Sequence, residues 1–82
     1  MSNTPHELHE EFPDQAEAIH ALKELDAHFA RLAAEYHEIN RAVHRAETNI
    51  EPIDQFAETE LRKTRAALKD QLAKILHEAS DA

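Results

Sequence analysis

The chain has no cysteine, no glycine and no tryptophan, and only one tyrosine, three phenylalanines and three prolines among 82 residues. Without cysteine there is no disulfide and no thiolate-held zinc or iron–sulfur centre. Without glycine there is no routine left-handed turn residue and no glycine-rich loop to cradle a phosphate. The shortage of aromatics leaves few bulky anchors for a core. No apolar run approaches the ~20 residues of a membrane span, and Met1–Asp14 is polar and acidic, unlike a secretory leader. These absences predict a cytoplasmic protein with no membrane association. Basic residues are also in deficit, with Lys+Arg 9 against Asp+Glu 17 and a net charge of -8. That balance argues against nucleic acid as a partner, because phosphate backbones attract net positive surfaces.

The residues that are abundant are helix formers: alanine, leucine, glutamate and lysine dominate a chain that is 41% hydrophobic and 32% charged. Eighty-two residues make a single domain, 1–82, near the size at which one core supplies only ~3–5 kcal/mol. Chains of this size often gain the remainder from an oligomeric partner, so a homodimer is a natural expectation.

Thr4-Pro5-His6-Glu7 reads as a helix start, with Thr4 as cap, Pro5 in the first helical position and Glu7 closing a capping box. The predicted helix over about 5–11 is short, because Pro13 disfavours helical geometry at Phe12. From there Leu22, Leu25, Phe29, Leu32, Tyr36, Ile39, Val43, Ala46 and Ile50 alternate steps of three and four. Ile50 falls just beyond the predicted end. A continuous helix over about 14–47 would be a rod of ~50 Å, which needs a partner along its length. Loop residues 48–54 break the pattern: Asn49 suits a left-handed stop, Pro52 prevents continuation and Asp54 can cap the next helix. That helix is predicted over about 55–78, with Leu61, Leu68, Leu72, Ile75 and Ala79 on one stripe and Arg65 interrupting it.

A short linker favours antiparallel neighbours. Folding about residue 50 sets Leu68 near Ala33, Leu72 near Phe29 and Ile75 near Leu25 or Asp26. Arg65 then falls near Tyr36, within reach of Glu35 or Glu38, and Lys74 near Asp26. Charge agrees with this register. Residues 1–40 carry nine acids against Lys23 and Arg31, whereas residues 62–74 carry Arg62, Lys63, Arg65, Lys69 and Lys74 against Asp70. The predicted fold is therefore all-α: an antiparallel two-helix coiled-coil hairpin preceded by a short N-terminal helix.

Phe12-Pro13, Ile19, Leu22-Lys23, Asp26, His28-Phe29, Leu32, Glu35-Tyr36, Asn40, Arg45, Glu47 and Arg65-Ala66-Ala67-Leu68-Lys69-Asp70 together resemble the YdcH-like family of small bacterial proteins. The resemblance runs over roughly residues 8–76, and the ordered set is more specific than a coiled-coil pattern alone. It implies a helical hairpin from a bacterial cytoplasm, with no established biochemical role and no catalytic residue to carry over. The sequence departs from the family's usual pattern at Ala46, where a larger aliphatic residue is common.

Seven histidines invite a metal hypothesis. His6 and His9 are three apart, His37 and His44 seven apart, and Glu17-Ala-Ile-His20 has the Glu-x-x-His spacing of di-iron bundles. Such a site needs a second Glu-x-x-His, and the position three before His77 is Lys74. His20, His28, His37 and His44 also fall off the apolar seam, so solvated imidazoles are the simpler reading and no metal or cofactor is assigned. Asp26 with His28 lacks a water-excluding pocket for acid–base work, and no catalytic residue is assigned. Arg65, helped by Arg62 and Lys69, could bind a partner, and Arg62, Lys63, Lys69 and Lys74 could contact RNA, but Arg65 is better read as an interhelical ion-pairing residue whose stem covers apolar surface. Phe29 and Tyr36 read as core. Leu8, Phe12, Ala16 and Ile19 lie beyond the end of the second arm. They either fold back as a cap or form an apolar patch that seeks another chain, and so are the candidate partner surface. The function expected is that of a non-enzymatic interaction module that self-associates or docks on a partner helix. An RNA- or ribosome-associated factor and a metal-linked regulator are the alternatives.

Overall fold

Asp26 is where the expected long rod breaks. In the computed structural model, which describes residues 5–48 and 53–80, Asp26 is extended (φ -131°, ψ 103°) between α2 (Ala16–Leu25) and α3 (Ala27–Glu47). Its carboxylate accepts from the backbone N–H groups of His28 and Phe29 at 2.9 and 3.1 Å. A side chain that satisfies two of the first free donors of a helix makes a start competitive with continuation. The expected helix over 14–47 is thus two helices. The longest dimension of the molecule is 43 Å, shorter than the ~50 Å rod that an unbroken helix would give.

The N-terminal helix is also shorter than the pattern suggested. α1 spans Leu8–Glu11, with Glu7 rather than Thr4 at its start, and the Glu10 carboxylate accepts from the Glu7 N–H at 3.3 Å. Thr4 lies outside the described residues. A 3₁₀ turn at Pro13–Gln15 follows, because proline fixes its own φ and keeps Phe12 out of the helical region. α4 spans Gln55–Ser80, and Asp54 opens it by accepting from the Ala57 N–H at 2.8 Å. Thr48 closes α3, its hydroxyl donating to the carbonyls of His44 and Arg45. Asn49, Ile50 and Pro52 lie outside the described residues.

The fold is all-α, and no strand occurs among the described residues. α3 and α4 pack along each other as a hairpin. Ion pairing near the turn, Arg62 with Glu47, and a contact further along, Arg65 with Asn40, fix the antiparallel sense. Phe29, Leu32, Ala33 and Tyr36 of α3 share one buried cluster with Leu68, Leu72 and Leu76 of α4. Leu72 and Phe29 are wholly excluded from solvent.

Both stripes depart from the pattern. Leu25 is 84% exposed, because the turn at Asp26 ends α2 there and removes it from the seam that continues in α3. On α4, Leu76 is buried, Ile75 packs only partly against the core and Ala79 is exposed. Leu68, Leu72 and Leu76, four apart, form the buried row, a spacing that stacks side chains on one face.

Candidate functional site

The residues before α2 do not project from the hairpin as a patch. They fold back along it as an arm. Leu8 and Ile19 are buried, Phe12 packs partly against the core, and only Ala16 of the four candidate partner residues is exposed. Burial of Leu8 and Ile19 contributes roughly 1.5–3 kcal/mol each. The arm also lies further along the hairpin than a cap over its open end would, since it reaches Tyr36 and Asn40 in the middle of α3.

Hydrogen bonds fix the arm's position. The Tyr36 hydroxyl donates to the His6 carbonyl at 2.6 Å, and the Asn40 amide donates to the Pro5 carbonyl at 2.8 Å. Both side chains are buried, Asn40 completely. Presenting two successive carbonyls to α3 requires a sharp turn, and His6 takes φ 64° to make it. A non-glycine residue in that region costs on the order of 1–2 kcal/mol. In a chain without glycine, the two buried hydrogen bonds offset that cost. The remaining Asn40 oxygen accepts from the Arg65 guanidinium at 3.0 Å, so α4, α3 and the arm are joined through one amide. No buried side-chain nitrogen or oxygen lacks a partner among the described residues.

Charge completes the attachment. The His37 Nδ1 sits 3.0 Å from the Glu7 carboxylate, and Lys69 donates to Glu11 at 3.0 Å. His6 lies 3.4 Å from the same Glu11 oxygen. The hydrogen bond from Lys69, with its positive charge, holds the Glu11 carboxyl below the usual range, against a smaller opposing effect of desolvation. Tyr36 moves the other way: desolvation, reinforced by the Glu11 carboxylate, pushes its phenol up to about 12.

Arg65 therefore does not make the expected ion pair. It bonds a neutral amide, and none of the described ion pairs joins it to Glu35 or Glu38, which are exposed. Long side chains on a helix lean toward its N-terminus, which carries the guanidinium of Arg65 past the level of Tyr36 to Asn40. Arg62 bridges Glu47 at 2.9 Å and Glu58 at 2.6 Å, and these contacts raise its already high pKa. Lys63 faces Glu60 at 3.8 Å. Asp26, the expected neighbour of Lys74, spends its carboxylate on the start of α3.

Between the arm and α2 on one side and α3 on the other runs an open cleft of about 520 Å³. Leu8, Ile19, Ala33 and Ala34 line it together with His9, His20 and His37. Folding has thus gathered His20 and His37, both expected off the apolar seam, with His9 of the arm. Among the described residues, however, no group of three or more His, Asp or Glu side chains has a geometry that could hold a metal ion. His37 faces Glu7, and His20 lies 3.6 Å from Glu24.

Sequence reasoning passed over Asn40 as a structural residue. The signal was there, since Asn40 stands four after Tyr36 and three before Val43 on the apolar face. A polar residue at such a position needs buried partners.

No helix among the described residues is long and apolar enough to cross a membrane. Among curated proteins and among solved structures, nothing matches the chain. Residues 29–76, more than half of the chain, match a family described as "Protein of unknown function (DUF465)". The matched stretch takes in α3 from Phe29 and α4 to Leu76, which is the hairpin, and leaves the arm and α2 outside it. The chain belongs to the DUF465 family.

Proposed function

We propose that the protein is a non-enzymatic interaction module of the YdcH-like type, working in the bacterial cytoplasm by self-association or by docking on a partner helix. The observation that carries this reading is the apolar corner at the start of α4. Phe56 is 75% exposed and Ile53, three residues earlier, 41% exposed. Two large apolar side chains exposed within four residues of each other, on a surface otherwise rich in charge, favour burial against another chain. Pairing of Arg62, Lys63 and Lys69 with carboxylates weighs against the RNA-associated alternative, because each pair reduces the charge offered to phosphate.

Sedimentation equilibrium across micromolar concentrations tests the reading. The wild type is expected to populate a dimer or higher species, and a double change of Ile53 and Phe56 to serine to shift it toward monomer. A wild type that stays monomeric, with no helical partner recovered by crosslinking in native cells, would remove the basis for an interaction role.

A further inference from the structure

We infer that residues 5–11 form an exchangeable arm, and that the groove made by Tyr36, His37, Asn40, Arg65 and Lys69 accepts the same arm from a second copy of the chain. The inference rests on the self-associating reading but uses a different surface from the Ile53 and Phe56 corner, so it concerns a dimer that survives the double change to serine.

The groove reads little of the arm's own sequence. Tyr36 and Asn40 bond to the backbone carbonyls of His6 and Pro5, and Leu8 supplies the buried apolar surface. Specificity comes from the arm's two carboxylates: Glu7 meets the His37 imidazole and Glu11 meets the Lys69 ammonium. Each of these bonds is identical whether the arm arrives from the same chain or from another. Only the joint differs between the two states. That joint is the non-helical Phe12 (φ -130°, ψ 64°) with the 3₁₀ turn at Pro13–Gln15, set between two helices that proline keeps from fusing. Changing this one joint converts a cis-docked arm to a trans-docked one while every bond between arm and groove is preserved. That is the circumstance in which exchange of an identical element is a low-cost route to a dimer. An exchanged dimer makes the same arm contacts per chain as the monomer, so high protein concentration is enough to populate it.

The side chains that bond to the arm come from two helices, Tyr36, His37 and Asn40 on α3 and Lys69 on α4, and all lie within the hairpin. An arm from a second copy therefore needs nothing from its own hairpin to dock.

The absence of cysteine makes the test direct. His9 on the arm and Ala34 on α3 line the same cleft, and both are exposed. His9→Cys and Ala34→Cys are introduced in separate full-length chains. The chains are mixed, held at high concentration to allow exchange, diluted and treated with a short bismaleimide. Exchange predicts a heterodimer whose linked peptides contain positions 9 and 34. The same band is expected to disappear when the Ala34→Cys chain also carries Lys69→Glu, which repels an acidic arm, its helicity being checked by circular dichroism. One chain bearing both cysteines should link internally at low concentration, which verifies the distance. A dimer seen in sedimentation with no 9–34 link between chains would overturn arm exchange and leave the broader self-association reading standing. Absence of any dimer would overturn both.

Discussion

Replacing Tyr36 with phenylalanine isolates one of the two bonds from buried side chains of α3 to the arm. Tyr36→Phe deletes one hydroxyl and keeps the ring in its buried site, leaving the His6 carbonyl without its donor at 2.6 Å. Removing a buried partner costs about 1–2 kcal/mol, which in a domain of this size lowers Tm by roughly 10 °C. Alkali should reverse the order of the two proteins. The phenol ordinarily ionises near 10.0 but is pushed up to about 12 in the folded chain, mainly by desolvation. The unfolded chain therefore gives up its proton first. The wild type loses stability from about pH 10, and the loss is complete above about pH 12, where it reaches roughly 3 kcal/mol at 1.36 kcal/mol per unit. Phenylalanine has no proton to lose, so the variant is less stable at neutral pH and more stable above about pH 12. Lysine and arginine titration affects both proteins alike and drops out of the difference. Urea midpoints followed by circular dichroism across pH 7–12.5 measure that difference. The chain's only tyrosine also lets near-ultraviolet absorbance report this phenolate alone. A phenol that titrates near 10 in the folded protein, or curves that never cross, would refute the argument.

Leu72→Ala should cost about 2–5 kcal/mol, because the side chain is wholly buried. Leu25→Ala should stay within about 0.5 kcal/mol, because that side chain is 84% exposed; equal destabilisation in urea unfolding would place Leu25 back on the seam. Asp26→Ala removes the acceptor for two backbone donors and should lower stability by roughly 0.5–2 kcal/mol. An unchanged thermal midpoint would mean that α2 and α3 can join at no cost. Acid should loosen the arm. Glu11 has its folded-state pKa lowered by Lys69, so its contribution is present above the ordinary carboxylate range and is lost as pH falls through the depressed value. Glu11→Gln should lack that part of the acid dependence, and identical acid unfolding of the two proteins would count against the Lys69–Glu11 pairing.

Much of the hairpin was legible because its signals are local and repeat. Steps of three and four in Phe29, Leu32, Tyr36, Ile39 and Val43 mark one helical face whatever surrounds it, and Asp54 announces a helix start from the chemistry of its own side chain. The short linker, rather than the ion pairs expected of Arg65 and Lys74, marked the antiparallel partner. The break at Asp26 was harder to see. The apolar rhythm runs through it undisturbed, and nothing in a periodic pattern records that a carboxylate has satisfied two backbone donors.

The arm groove lay further from view. Bonds that join Tyr36 to His6, Asn40 to Pro5 and Lys69 to Glu11 span 30, 35 and 58 residues, and no spacing rule connects such positions. They exist only once α3 and α4 have packed and formed a surface with donors at fixed places. By itself the sequence determined that the chain would be helical, where its turn would fall and which faces would be oily, because periodicity and capping act over a few residues. The tertiary structure alone decided that Leu8 and Ile19 belong inside, that Leu25 belongs outside and that Asn40 ties three segments together. Each of those outcomes depends on which distant backbone arrives to exclude water or accept a hydrogen bond.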